Sequence, residues 1–246
     1  GGMAVGLAVW SVPLAFGFLL PGGQWLVWVV RTAGRMLDAD FLRITGNSLV
    51  LAGSAALVTL LVGLFMAYGK RLHGDRLVRG AVRVAGMGYA IPGTVIAIGV
   101  MIPFAWLDNT IDAWMRARFD FSTGLLLSGT LVALLFAYMV RFLAVALQTA
   151  EAGLGKIRPS MDEAARALGF GPLDVLKKVH VPMLRGSLIT AMLLVFVDVL
   201  KELPATLVLR PFNFNTLAVR TYELASDERL ADAASGSLAI VLAGII

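Results

Sequence analysis

The sequence contains no cysteine and only two histidines, His73 and His180, which lie far apart. Without thiols the chain can form no disulfide, no zinc–thiolate site and no cysteine nucleophile. It also has no HExxH, GxSxG or GxGxxG motif and no phosphate-binding P-loop, each of which would indicate a catalytic or nucleotide-binding site. We therefore expect a protein that is not an enzyme, with no catalytic residue, no metal site and no cofactor bound by this chain.

Charged residues are scarce as well. They make up 15% of the 246 residues, whereas hydrophobic residues make up 59%; soluble domains usually carry about 25% charged residues. The mean hydropathy of +0.83 agrees with this imbalance. The composition predicts an integral membrane protein in contact with the lipid bilayer. Its apolar runs are continuous rather than alternating, which excludes a β-barrel and predicts an all-α, polytopic transmembrane bundle.

Five apolar segments approach the roughly 20 residues that a helix needs to cross a bilayer, and a sixth is truncated. These segments are 3–20, 44–68, 82–107, 125–147, 187–209 and 233–246. Residues 24–43 mix tryptophans with charged side chains, which predicts a helix lying at the membrane interface. We thus divide the chain into a leading region, 1–43, and a core, 44–246. Because the sequence starts without methionine and stops inside an apolar run, we expect it to be part of a longer polypeptide.

Two loops carry most of the positive charge. The loop "GKRLHGDRLVRGAVR" and the stretch 141–185 together hold 12 basic and 5 acidic residues, and the rest of the chain holds 9 basic and 11 acidic ones. An excess of Lys and Arg marks the cytoplasmic side. Two predicted crossings separate the loops, so both can face the cytoplasm. Basic loops beside a membrane explain the net charge of +5, and we expect no nucleic-acid partner.

The segment "SMDEAARALGFGPLDVLKKVHVP", which starts at Ser160, is polar and contains the start and stop signals of two short helices. Ser160 and Glu163 have the spacing of a capping box at a helix start. Gly169 suits the residue that ends this helix, because glycine tolerates positive φ. Pro172 suits the first position of a second helix, which we expect to end before Pro182. The segment thus predicts two helices joined by a glycine turn.

The first of these helices carries the small side chains Ala164, Ala165 and Ala167, which would allow another surface to approach closely. The apolar residues beside it have no membrane run to join. A cytosolic partner could cover this surface. An interfacial loop that packs only on its own helices is the alternative, and the capping signals alone do not decide between them.

The same segment resembles the EAA loop of bacterial binding-protein-dependent ABC importer permeases. In that family EAA is followed by three residues, Gly, nine residues and Ile-x-Leu-Pro; here valines stand for the isoleucine and leucine. The matching positions are Glu163, Ala164, Ala165, Gly169, Val179, Val181 and Pro182. The stretches "GNSLVLAGSAAL" and "AIPGTVIAIGV" are similar to two core spans of these permeases. The resemblance covers roughly 44–246 and implies the type I ABC importer permease fold.

In that family the EAA loop is a coupling helix that inserts into a groove on a separate ATPase subunit. The resemblance therefore implies a cytoplasmic coupling loop at 148–186 in a multi-pass protein of the bacterial inner membrane. It implies as partners two cytosolic ATPase domains that hold ATP and magnesium, a second permease half or copy, and a periplasmic substrate-binding protein. The residues implied to transmit ATPase motion are Glu163, Ala164, Ala165, Gly169 and Pro182.

The segment 187–209 contains a charged group, Asp198, Lys201 and Glu202, at spacings that place them on one helix face. Burying one such charge near the bilayer midplane costs about 2.5–3.5 kcal/mol. We therefore expect these side chains to face the bundle interior, with Lys201 paired to an acid, and we expect Pro204 to break or kink the helix. They could line the substrate path or its gate, or form an ion pair that only orients the helix.

Two other positions stand out within the predicted spans. Pro92 and Gly93 suggest a kink or a close helix crossing. Arg141 lies near one end of the segment 125–147, and we expect it to be an anchor whose long side chain reaches the polar interface.

The run "DVLKELPATLVLRPFNFNTLAVRTYELASDERLADAA" resembles the ferric-iron branch of the permease family. This resemblance implies an ATP-driven importer of ferric iron. Thiamine, polyamine or another small solute is the alternative within the family. From another class, an ion-coupled secondary transporter or channel could use the Asp198–Glu202 group to bind its coupling ion.

Overall fold

The computed structural model describes residues 2–245 and all their side chains except those of residues 2–5 and 8. Gly1 and Ile246, which the predicted regions include, lie outside the described residues. Within 2–245 the chain is helical and contains no strand, which confirms the predicted all-α class. Five segments in this range are long and apolar enough to cross a membrane: Val9–Met36, Ala39–Leu72, Gly93–Phe119, Leu131–Leu154 and Pro172–Leu200.

The described residues form twelve α-helices, numbered here in chain order. They are α1 (Gly2–Leu14), α2 (Leu20–Met36), α3 (Ala39–Leu72), α4 (Arg76–Ala85), α5 (Gly93–Phe119), α6 (Leu131–Leu154), α7 (Pro159–Ala167), α8 (Pro172–Val175), α9 (Val181–Leu200), α10 (Pro204–Leu209), α11 (Leu217–Ser226) and α12 (Leu230–Ile245). Two π-helical turns join α1 to α2 and α8 to α9, and a 3₁₀ turn precedes α5.

The chain divides into two compact units, Gly1–Leu49 with Phe214–Ile246, and Val50–Asn213. In the first unit α12 packs against α2 and α11. Arg35 of α2 forms a 2.7 Å ion pair with Asp232 of α12, which is buried. The first N–H of α11, that of Leu217, donates to Ser48 Oγ at 2.7 Å. The predicted division at 43/44 stays a prediction.

The predicted leading span is displaced along the chain. Residues 24–36 belong to the candidate span Val9–Met36, and α3 begins at Ala39; the predicted interfacial position of the segment 24–43 stays a prediction. Pro21 does not interrupt the helix, because the π-helical turn Ala15–Leu19 comes directly before it and widens the backbone where the proline ring would otherwise press on the preceding turn.

The second unit packs α6 against α9, and α5 against α6 and α10. The helix predicted at 82–107 is interrupted: Pro92 has an extended ψ of 139° and caps α5, which then runs to Phe119. The helix predicted at 125–147 begins later, at Leu131, because Thr130 caps it by accepting a hydrogen bond from Val132 N–H. The helix predicted at 187–209 begins earlier and ends at Leu200.

A buried carboxylate fixes the connection between α5 and α6. Asp108 of α5 is 1% exposed, and its oxygens accept backbone N–H bonds from Leu126, Leu127 and Ser128 at 2.8–3.3 Å. The Ser128 hydroxyl donates a further bond of 2.6 Å. Four donors on one carboxylate satisfy a charge that would otherwise be costly to bury.

Candidate functional site: the α7 segment and a buried ion pair

The short helix α7 starts earlier than the sequence indicates. Arg158 is its N-cap and Pro159 its first residue, and no side chain caps the first turn. Ser160 and Glu163 therefore lie inside the helix, and the predicted capping box is wrong. The reason is Pro159, whose fixed φ and missing N–H suit the first helical position, so that the helix begins before Ser160 can act as a cap.

The end of α7 agrees with the sequence. Gly169 has a φ of +83°, a conformation that glycine adopts without strain. Its N–H donates to Arg166 O at 2.9 Å, and the N–H of Phe170 donates to Ala165 O at 3.1 Å. These two bonds form a Schellman motif, which satisfies the last carbonyl groups of the helix. Gly169 thus ends α7, as predicted.

The two faces of α7 differ sharply. Asp162 and Ala165 are its buried residues, and they lie three positions apart on the inner face. Glu163 and Ala164 are exposed, and Leu168 just beyond the helix is 77% exposed. Of the predicted coupling residues, Ala165 therefore packs inward, whereas Glu163 and Ala164 are available to another molecule.

The helix after α7 does not end before Pro182. A π-helical turn, Leu176–His180, connects α8 to α9, and the N–H of Val181 donates to Leu176 O across it. This i→i−5 bonding widens the backbone next to Pro182, whose ring would press on the preceding turn of a regular α-helix. The predicted stop is wrong, and the segment is continuous with the candidate span Pro172–Leu200.

Three charged or polar side chains meet beneath α7, and we call Arg71, Asp162 and His180 the anchor triad. Asp162 Oδ2 accepts from Arg71 Nε at 2.9 Å, and Asp162 Oδ1 lies 2.6 Å from His180 Nε2. The other guanidinium nitrogens of Arg71 donate to Leu154 O at 2.5 Å and Ile157 O at 2.9 Å. The triad therefore joins the ends of α3 and α6 to α7 and to the π-helical turn before α9.

The protonation of Asp162 follows from its neighbours. Its burial alone would raise the pKa of the carboxyl group, but hydrogen bonds from Arg71 and His180 outweigh burial and lower that pKa below its ordinary value of 3.8. An ionised carboxylate only accepts hydrogen bonds, so Nε2 of His180 carries the shared proton. The His180 ring is fully buried and packs edge-on against Tyr68 with centroids 5.2 Å apart.

A second polar site lies between the end of α9 and the start of α10. Glu202 is 6% exposed, and its Oε2 lies 3.2 Å from Arg141 Nε of α6. The N–H at Arg141 Nε makes no hydrogen bond, so its contact with the Glu202 carboxylate is an ion pair only. Arg141 also donates to Ile91 O at 2.9 Å, and Glu202 Oε1 accepts from Ala205 N–H at 3.1 Å. Arg141 is thus a half-buried partner of Glu202, with its side chain 21% exposed, and its predicted role as an interfacial anchor stays a prediction.

The backbone of Gly93 lies so close to this ion pair that there is little space for a side chain. A Cβ added at Gly93, the first residue of α5, would lie 2.5 Å from Glu202 Oε1 and 3.1 Å from Arg141 Nη1. The expected close approach at Pro92 and Gly93 is therefore present, although α5 begins there and is not kinked. Beside the pair, the hydroxyls of Tyr138 and Thr206 are 2.5 Å apart and both residues are buried.

The predicted charged group does not share one face. The Asp198 and Glu202 side chains are 15% and 6% exposed, but that of Lys201 is 61% exposed. Lys201 pairs with Asp198 at 2.8 Å, so it is paired to an acid, as expected. The helix ends at Leu200, before Glu202, and Pro204 begins α10. Proline favours a helix start over a helix interior, so the break precedes it.

Sequence reasoning did not identify Arg71, Tyr138 or Thr206, because each contributes through a partner distant in the chain. The spacing of Asp162 and Ala165, one helical turn apart, was the available signal that Asp162 lies on the inner face. The described part of the chain contains no group of three histidine, aspartate or glutamate side chains that could hold a metal ion.

The chain resembles known proteins in both sequence and fold. The family described as the binding-protein-dependent transport system inner membrane component matches residues 59–246. The chain therefore belongs to this family of inner membrane components of binding-protein-dependent transport systems. The predicted family is confirmed.

Two curated relatives illustrate the range of the family. The Fe(3+)-transport system permease protein FbpB 2 of Haemophilus influenzae is 26% identical over 204 residues, which cover 83% of this chain and 37% of that relative. The putative 2-aminoethylphosphonate transport system permease protein PhnV of Salmonella typhimurium is 27% identical over 198 residues, which cover 80% and 68%. This chain thus spans well under half the length of the iron permease.

Solved structures show the same fold. A crystal structure of a bacterial ABC transporter involved in the import of the acidic polysaccharide alginate matches with a TM-score of 0.76 and 12% identity, covering 100% of this chain and 91% of that one. The MetNI methionine ABC transporter in an inward-facing conformation matches with a TM-score of 0.58 and 16% identity, covering 83% and 91%. At these identities the likeness concerns the fold alone.

Proposed function

We propose that this chain is the transmembrane subunit of an ATP-driven importer and that α7 receives motion from a separate ATPase subunit. The observation that carries the proposal is an exposed short helix tied from beneath to long apolar helices. Glu163, Ala164 and Leu168 form the outward side, whereas Asp162 joins α7 to α3 and to the π-helical turn before α9. A helix held in this way can transmit a push from its outer face to the spans.

The surroundings of α7 support a cytoplasmic position for it. Lys and Arg predominate in the loop before α5 and in the stretch 141–185, as expected on the cytoplasmic side of a bacterial inner membrane. On that side α7 would meet two ATPase domains that bind ATP and magnesium. A second permease half or copy and a periplasmic binding protein would complete the importer, in keeping with the description of the family.

We propose ferric iron as the substrate. The support is the similarity to an Fe(3+)-transport permease over 83% of this chain, together with the run from Asp198 onward that resembles the iron branch. 2-Aminoethylphosphonate is the second candidate, because a permease named for it is equally similar and is covered over 68% of its own length. The two substrates differ in charge, so one uptake assay can separate them.

The break between α9 and α10 is the proposed position of the translocation path or its gate. Lys201 is largely exposed there and Asp198 is its partner, so these two side chains can face a passing solute or the second permease half. Glu202 contributes differently, since its carboxylate is held by Arg141 and by Ala205 N–H. In this proposal Glu202 keeps the break in its shape, and Lys201 and Asp198 line it.

The test is uptake by the complete importer, reconstituted in proteoliposomes with its ATPase and its binding protein. We expect radioactive ferric iron to accumulate only when ATP is hydrolysed, and 2-aminoethylphosphonate not to accumulate. Glu163→Lys should abolish this uptake while the protein stays in the membrane, whereas Glu228→Lys, the same change at an exposed residue that is not part of α7, should preserve it. Uptake driven by an ion gradient alone, or normal uptake by Glu163→Lys, would show that the proposal is wrong.

A further inference from the structure

We propose that the anchor triad, Arg71, Asp162 and His180, is the positioning device that keeps α7 in register with the membrane helices, so that ATPase motion is converted into movement of α3 and α9. This inference rests on the proposed function of α7. It assigns to three side chains beneath the helix a role that the exposed EAA residues cannot perform, namely to fix the orientation of the helix on the membrane domain.

The first argument concerns how little else holds α7. Asp162 and Ala165 are its only buried residues, and an alanine side chain removes little apolar area from water. The helix is followed by Gly169, a residue in the left-handed conformation. The orientation of α7 therefore depends chiefly on the bonds of one carboxylate. An ionised carboxylate stays buried only when charged or hydrogen-bonding partners surround it, which makes these bonds selective for one geometry.

The second argument concerns Arg71. It lies in the last turn of α3, and one planar guanidinium reaches Asp162 and the carbonyl oxygens of Leu154 and Ile157. Leu154 is the last residue of α6; its carbonyl has no donor within the helix, and it accepts the N–H of Ile157 at 3.1 Å as well as the bond from Arg71. Arg71 thus closes the end of α6 and holds α7 with the same group. Lysine offers a point charge with no fixed fork and could not make all three contacts in this geometry.

The third argument concerns His180 and the π-helical turn that carries it. His180 is the last residue of Leu176–His180, and it is fully buried against Asp162. One inserted residue rotates the turn by about 100° relative to a regular α-helix, so the turn sets the direction of His180 relative to α9. Tyr68 supports the same junction, because its hydroxyl donates to Pro172 O at 2.7 Å. The start of α9 is thereby tied to α7 and to the end of α3.

Loss of the anchor triad should therefore separate ATP hydrolysis from substrate uptake. Without the triad, α7 can still meet the ATPase through its outer face, but it can tilt without moving α3 or α9. ATP hydrolysis should continue while substrate uptake falls. We expect uptake per ATP hydrolysed to fall about tenfold in Asp162→Asn, within the range typical of coupling between two sites. Asp174→Asn is the matched control, because Asp174 is an exposed aspartate of the same segment, paired only with Lys178.

The position of α7 can be measured directly, because the chain contains no cysteine. Spin labels at Ala167→Cys and His73→Cys, both exposed, report the distance from α7 to the end of α3 in the full chain in nanodiscs. We expect one narrow distance distribution in the otherwise unchanged chain and in Asp174→Asn, and a broad one in Asp162→Asn. His180→Gln keeps an N–H donor at the reach of Nε2 and should stay narrow, whereas His180→Leu should broaden the distribution.

The outcomes separate this inference from the proposed function. If the unchanged importer shows no ATP-dependent uptake, the proposed function is wrong. If it transports and Asp162→Asn transports with the same uptake per ATP and a narrow distance distribution, the role of the triad is wrong. Where Asp162→Asn does not fold, the pair His180→Gln and His180→Leu decides, and equal coupling in both would overturn the inference.

Discussion

The ion pair between Arg141 and Glu202 gives a direct test of how α6 packs against the junction between α9 and α10. Glu202 is 6% exposed at its side chain and Arg141 21%. Removing one partner of a buried pair costs about 3–5 kcal/mol, because the other charge is left without compensation. We expect Arg141→Met to lie near the lower end, at about 3 kcal/mol, since Glu202 keeps the N–H of Ala205. Glu202→Gln should cost about 1–3 kcal/mol, because it leaves a donor unpaired.

The double variant isolates the pair itself. With both charges gone, neither group is buried alone, so the combined loss should fall short of the sum of the single losses by about 1–3 kcal/mol. Thermal unfolding in detergent measures this, since about 1 kcal/mol corresponds to about 2–4 °C in a chain of this length. We expect Arg141→Met to lower the melting temperature by about 6–12 °C. Losses that add to within about 0.5 kcal/mol would refute the pairing.

Three further predictions follow from other contacts. Gly93→Ala should destabilise the chain by about 1–3 kcal/mol in thermal unfolding, because its Cβ meets Glu202; Gly99→Ala in the same helix, with open space around it, should not destabilise it. Asp108→Asn should speed hydrogen exchange of the amides at 126–128 about tenfold, because charge-assisted bonds are lost; unchanged exchange would contradict the anchoring. The pKa of Asp162 is lowered from its ordinary value of 3.8, so the stabilising contribution of its carboxylate is present above that value and is lost as the pH falls through the lower pKa of the folded state. A melting-temperature difference between the unchanged chain and Asp162→Asn that does not shrink on acidification would show that the reasoning is wrong.

The sequence was informative wherever a local rule decides the structure. Long apolar runs predicted the helical class, and the φ of Gly169 and the Lys201–Asp198 pair follow from neighbours within one helical turn. The EAA spacing identified the family correctly. Each of these depends on residues close together in the chain, where propensity and spacing act directly.

The misplaced features have a common cause in proline. Pro92 caps α5 and thereby interrupts the helix predicted at 82–107, the break predicted at Pro204 begins earlier, after Leu200, and Pro159 moves the start of α7 ahead of the expected cap. A π-helical turn lets the chain continue through Pro182. Apolar composition alone cannot show whether a proline starts a helix, bends it or leaves it intact, because this depends on the conformation of the neighbouring backbone.

The partners of the buried charges were also beyond the reach of the sequence. Arg141 meets Glu202, and Arg71 meets Asp162, across helices that are distant in the chain. Which charges pair depends on how α6 packs against α9 and how α3 ends beside α6. Periodicity assigns a residue to a face but does not say which other face it meets.

The central claim, that α7 is the contact with an ATPase, can be tested by cysteine crosslinking of the assembled importer. Leu168→Cys places a thiol directly after the last residue of α7 at a position 77% exposed, and Leu77→Cys places one on α4 at a position 83% exposed. We predict a product between Leu168→Cys and the nucleotide-binding subunit whose yield changes with ATP, and none from Leu77→Cys. A product from Leu77→Cys alone, or none from any exposed position of α7, would contradict the account.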